Sequence, residues 1–134
     1  MENPKSKYFM TLALMQANKV LGKTRTNPAV GCVIVKNDVI ISRARTADNG
    51  RPHAESQALK LAGDRARGAA LYVTLEPCAH HGKTPPCVDA ILSYGVARVV
   101  VGLVDPDPRT AGQSIRKMKD AGIDVEINVL KEEC

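Results

Sequence analysis

Val96-Ala97-Arg98-Val99-Val100-Val101-Gly102-Leu103-Val104 is apolar at every position except Arg98. A strand with one wet face alternates polar and apolar residues. A run that is apolar throughout belongs to a strand buried on both faces, as in a parallel sheet covered by helices. Asp105-Pro106-Asp107-Pro108 breaks the run on one side and Gly95 precedes it on the other. Toward the C-terminus, residues 113–121 read as a helix and 125–129 as a strand. Toward the N-terminus, Pro85-Pro86 opens a helix that reaches about residue 93, and residues 71–75 form another strand. Residues 54–62 are predicted helical up to Gly63. Residues 30–36 and 39–43 read as a hairpin turning on Asn37-Asp38. Phe9, Leu12, Ala13, Ala17 and Val20 share one face of a helix predicted over 6–22, with Gly22 as its stop. The order α-β-β-α-β-α-β-α-β places the chain in the α/β class, a central sheet with helices on both faces. Ligands of such sheets bind outside the carboxyl ends of the strands. Glu76-Pro77-Cys78 and Asp105-Pro106-Asp107 both follow strand ends.

Length and composition bound the rest. The 134 residues read as one domain, 1–134. Hydrophobic residues make up 44%, but Trp is absent and Phe occurs once, so Val, Ile, Leu and Ala must build the core. So few aromatics cannot form a stacking platform for single-stranded nucleic acid, and there is no basic tail. Net charge is +5 with the basic residues scattered, which fits a solvated surface or a phosphate-bearing small substrate. No apolar run approaches membrane-spanning length and the N-terminus lacks a signal-peptide pattern. A reduced, cytoplasmic setting is therefore expected, in which Cys pairs bind metal more often than they form disulfides. Of the four cysteines, Cys32 lies in the apolar run 30–35 and reads as a small buried hydrophobe, and Cys134 reads as a loose thiol.

Three short stretches carry chemistry. Pro52-His53-Ala54-Glu55 begins one helix; Glu76-Pro77-Cys78 follows a strand; Pro85-Pro86-Cys87 begins another helix. His53, Cys78 and Cys87 offer one nitrogen and two sulfurs, three corners of a zinc tetrahedron with the fourth open to water. Zinc brings the ionisation of a bound water to neutral pH. Glu55, two residues beyond the His, is separate from the metal and placed to move the proton. This is the H-x-E with P-C…C layout of zinc-dependent nucleobase deaminases, in which Glu55 shuttles a proton from water to the ring nitrogen and then to the departing amine. Taken singly, a His at a helix start is commonly a cap, and two Cys can hold a structural zinc; their joint occurrence in strand-to-helix context points to the catalytic arrangement.

The chain resembles the deaminase domain of the bacterial riboflavin biosynthesis protein RibD family, within the cytidine-deaminase-like superfamily. The resemblance rests on Thr26-Asn27-Pro28-Ala29-Val30-Gly31-Cys32-Val33-Ile34-Val35, on Pro52-His53-Ala54-Glu55, and on the run from Tyr72 through Glu76-Pro77-Cys78-Ala79-His80-His81-Gly82-Lys83-Thr84-Pro85-Pro86-Cys87. It continues through residues 95–100, Asp105-Pro106 and 121–123. The eight-residue spacer between Cys78 and Cys87 is specific to it. The resemblance implies a three-layer α-β-α cytidine-deaminase-like fold around a five-stranded mixed sheet, one zinc per chain, and a homodimer or larger assembly. It implies hydrolytic deamination of 2,5-diamino-6-ribosylamino-4(3H)-pyrimidinone 5′-phosphate. It assigns His53, Cys78 and Cys87 to the metal, Glu55 to proton transfer, and Asn27, His80, Lys83 and Asp105 to substrate. By chemistry alone, His80 and Lys83 suit a polar ring or phosphate and Asn27 a ring edge or ribose.

Three positions depart from the family. Thr46 stands where a His is usual, Gly50-Arg51 replaces Gly-Gly, and Asp107 replaces Asn. Asp107 would repel a close phosphate but accept from a ribose or an amine, and it joins the substrate candidates. A second reading therefore stays open: the same zinc chemistry on another nucleobase, nucleoside or nucleotide. A third is a non-catalytic, zinc-stabilised binding module, against which the presence of Glu55 speaks. Family enzymes often carry a C-terminal reductase domain that this chain lacks, so a separate reductase is a possible partner.

Overall fold

A computed structural model describes residues 4–23, 29–47, 53–77, 87–104 and 111–134. Within them the chain forms α1 (Pro4–Asn18), β1 (Gly31–Lys36), β2 (Val39–Arg45), α2 (Ala54–Ala62), a 3₁₀ turn (Gly63–Ala66), β3 (Ala70–Leu75), α3 (Cys87–Tyr94), β4 (Arg98–Leu103), α4 (Gln113–Asp120) and β5 (Asp124–Glu126).

The β1–β2 hairpin turns on Asn37 and Asp38, both with positive φ (52° and 64°), the backbone that a two-residue turn needs to match strand twist. β1 pairs antiparallel with β2 and with β3, while β3–β4 and β4–β5 pair in parallel. The five-stranded mixed sheet runs β2-β1-β3-β4-β5. The helical crossovers through α3 and α4 are what allow neighbouring strands to run in parallel.

Side chains alternate across the strands and so sort the helices. Cys32, Ile34, Leu71, Val73, Val99 and Val101 face one layer, with Ala58 and Leu59 of α2, Val88 and Ile91 of α3, and Ile115 and Met118 of α4. Val33, Val35, Tyr72 and Val100 face the other, where Phe9, Met10 and Ala13 of α1 pack together with Val129. Tyr72 and Phe9 stack at 5.2 Å between ring centres. The expected strand interior is thus fully buried, and its exception is explained. Arg98 opens β4 at the end remote from the strand termini that carry the motifs. There it pairs with Asp124 at 2.9 Å and with Glu126, which also accepts from Ser6.

Among the differences from the sequence reading, two concern where elements end and one concerns a cysteine. α1 stops at Asn18, and residues 19–23 close in tight turns that still bury Val20. β5 ends at Glu126; Val129 is buried beyond the strand, its N–H on Val101 O at 3.3 Å. Cys134, expected to be loose, is half-buried against Gly102, and burial pushes its thiol up from 9.0 to about 11. Cys32 is fully buried, as expected.

Candidate metal and catalytic centre

His53 immediately precedes the first turn of α2. Its backbone is extended (φ −69°, ψ 158°) and its carbonyl receives Gln57 N–H and Ser56 Oγ–H. The imidazole forms no cap for this helix. Its Nδ1 lies 3.4 Å from Sγ of Cys87, the first residue of α3. Two helix starts, 34 residues apart in sequence, thereby present a nitrogen and a sulfur to one point.

The donor set and its spacing fit zinc. With Zn–N near 2.0–2.1 Å and Zn–S near 2.3 Å, two ligands of one tetrahedral ion stand about 3.6 Å apart. The observed separation matches that before any ion is placed. Among the described residues no group of three potential ligands gathers. The expected third, Cys78, lies outside them, as do Asn27, His80, Lys83, Asp105 and Asp107.

Glu55 occupies the first turn of α2 and is buried, 4% exposed. A carboxylate there gains from the helix dipole. Its neighbour in the floor of the sheet is Cys32, whose thiol burial pushes well above its ordinary range, with the Glu55 charge adding to the shift. Cys32 is fully buried in β1 and packs among the apolar side chains of this layer.

Thr46 and Thr74 have structural duties. Thr46 is buried, and its hydroxyl accepts Val30 N–H at 3.0 Å, while its own N–H reaches Val30 O at 2.9 Å. Thr74 accepts Gly31 N–H at 3.2 Å. Together they anchor the chain just after the Asn27-Pro28 stretch. Glu76, quoted above within its motif but given no task, is the residue that sequence reasoning missed. Its carboxylate accepts from Gly112 N–H (3.0 Å), Ser114 N–H (3.2 Å) and Ser114 Oγ–H (2.8 Å). A buried acid between a strand and a Pro-Cys pair hinted at a fixed partner, but nothing nearby in the sequence named it. A cavity of about 470 Å³ opens beside α1, between Leu14, Leu21, Leu103 and Cys134. Neither of the described ligand candidates, His53 and Cys87, lines it.

Residues 3–103 match the family described as the cytidine and deoxycytidylate deaminase zinc-binding region. The chain belongs to this deaminase family. Riboflavin biosynthesis protein RibD of Aquifex aeolicus is 50% identical over 128 residues, 96% of this chain and 36% of that protein. The diaminohydroxyphosphoribosylamino-pyrimidine deaminase of Buchnera aphidicola subsp. Schizaphis graminum is 40% identical over 129 residues, 96% of this chain and 88% of that one. The solved structure of Acinetobacter baumannii RibD superposes with a TM-score of 0.94 at 46% identity, covering 96% of this chain and 36% of that chain. The chain thus spans about a third of the length of these RibD relatives. The three-layer cytidine-deaminase-like fold is shown by the superposition and by the sheet order, and the zinc-binding region of the family covers both described ligand candidates.

Proposed function

We propose that this chain hydrolytically deaminates 2,5-diamino-6-ribosylamino-4(3H)-pyrimidinone 5′-phosphate, a step of riboflavin biosynthesis. The observation that carries the reading is the approach of His53 Nδ1 to Cys87 Sγ, with Glu55 buried two residues from the imidazole. The Buchnera relative, nearly all of which this chain spans, supports the substrate.

One zinc ion per chain would be held by His53, Cys78 and Cys87, and would supply Lewis-acid activation of water at neutral pH. Glu55 accepts the proton of the attacking water and passes it to the ring nitrogen. It then carries a proton to the amine, so that one water enters, the C–N bond breaks, and ammonia leaves as the ring carbon becomes a carbonyl. Burial of Glu55 beside Cys32 keeps bulk water from competing for that proton. Asn27, His80, Lys83, Asp105 and Asp107 are proposed to contact the substrate. Thr46, buried and bonded to Val30, departs from the family at a position that braces the fold, which weakens it as a reason to expect another substrate. A homodimer or larger assembly in the cytoplasm, with a reductase acting on the product, completes the proposal. Among the described residues no helix is long and apolar enough to cross a membrane.

The test is ammonia release by the zinc-loaded protein from the ribotide, beside cytosine, cytidine, dCMP and guanine. Turnover of the ribotide, lost by at least about a hundredfold in Glu55→Gln, upholds the reading. Turnover of another amine alone moves the same chemistry to a different substrate. Full activity in Glu55→Gln rejects the proton-transfer assignment.

A further inference from the structure

Glu76 directly follows β3, is 6% exposed, and makes contacts of two kinds. Its backbone N–H donates to Leu103 O at 2.8 Å, extending the β3–β4 ladder past the last strand pair, Leu75–Leu103. Its carboxylate takes one donor from Gly112 and two from Ser114. Gly112 is the residue before α4, has a left-handed backbone (φ 80°), and brings no side chain to cap the helix. Glu76 caps it from another element, with a charge of the sign that a helix start favours. The two ends of the β4–α4 connection, Leu103 and Gly112, are therefore both fastened to one residue. That residue stands two positions before Cys78, and Asp105 and Asp107 fall between those ends in sequence.

A carboxylate engaged by three protein donors is poorly placed to act as a proton shuttle as well. We propose that Glu76 is a positioning residue for the deaminase reaction: it holds Leu103 and Gly112, the two ends between which Asp105 and Asp107 fall in sequence, and so sets substrate affinity. This rests on the deaminase reading above. Glu76 reaches no reacting atom. Releasing its hold leaves the chemistry in place and unfastens Leu103 and Gly112, a cost that substrate binding must then meet. The effect falls on KM.

The experiment compares Glu76→Ala, Glu76→Gln and Ser114→Ala in the zinc-loaded chain. It measures ammonia release from the ribotide, zinc content, and hydrogen exchange of the Gly112 and Ser114 amides. In Glu76→Ala, KM rises about tenfold with kcat within about twofold and zinc retained, and both amides exchange about tenfold faster, as loss of charge-assisted hydrogen bonds predicts. Glu76→Gln falls between, because one carbonyl oxygen still accepts. Unchanged KM in folded Glu76→Ala, or a fall in kcat at constant KM, overturns the proposal. If Glu76→Ala does not fold, the Gln and Ser114 variants decide by the same criteria. If the native chain releases no ammonia from the ribotide, the substrate reading fails by itself. The exchange measurement then decides the fastening: unchanged protection in the variants overturns it, and faster exchange upholds it.

Discussion

Gly31 and Ala13 are in backbone contact: a β-carbon on Gly31 would stand 1.7 Å from the Ala13 carbonyl oxygen and 2.8 Å from Ala17 N. α1 therefore rests on β1 without an intervening side chain, and the hydroxyls of Thr46 and Thr74 hold the residues at this contact from below. Gly31→Ala must lift the helix or bend the strand. A loss of about 3 kcal/mol or more is expected, read from the urea midpoint. A native midpoint would mean that α1 is free to shift.

On the opposite layer, α2 and α3 share one core cluster, and His53 precedes the one as Cys87 begins the other. Replacing either by Ala should weaken zinc binding by more than about a hundredfold, since changes merely outside a ligand shell already cost about ten- to a hundredfold. Cys32→Ala should leave zinc content unchanged, because that side chain is buried among apolar neighbours in the sheet. Metal analysis after dialysis against a chelator distinguishes the two. Equal retention in Cys87→Ala would remove Cys87 from the ligand set.

Thr46→Val keeps the shape of the side chain and removes the acceptor for Val30 N–H. A buried donor left without its partner costs about 1–3 kcal/mol. Thermal denaturation should show that loss, while the ranking of amine substrates stays as in the native chain. A changed ranking at unchanged stability would return Thr46 to the substrate side.

Cys134 gives a pH dependence of known sign. Its thiol titrates at about 11 in the folded chain against 9.0 ordinarily, so the folded state keeps a proton that the unfolded chain releases first. The stability this contributes is complete below about pH 9 and is lost as pH rises through about 11. Between those values the native chain should lose stability more steeply than Cys134→Ala. Parallel curves would place the thiol in solvent.

The residues of the chain, taken in order, determined which segments are helix and strand, because burial on one face imposes a period of 2 or 3.6 that is local and visible. They also named the donor types of the proposed site, since zinc chemistry restricts which residues can hold the ion. Periodicity is silent on how distant segments meet. Only the tertiary structure decided the strand order β2-β1-β3-β4-β5, with one antiparallel and one parallel neighbour for β3. It turned the His53 imbidazole away from helix capping and toward Cys87. It also gave Glu76 a task, for the donors it accepts belong to Gly112 and Ser114, brought within reach by the parallel pairing of β3 with β4 and the helix that follows. A side chain's partner is set by the packing of whole layers, and that packing is a property of the folded chain rather than of any stretch within it.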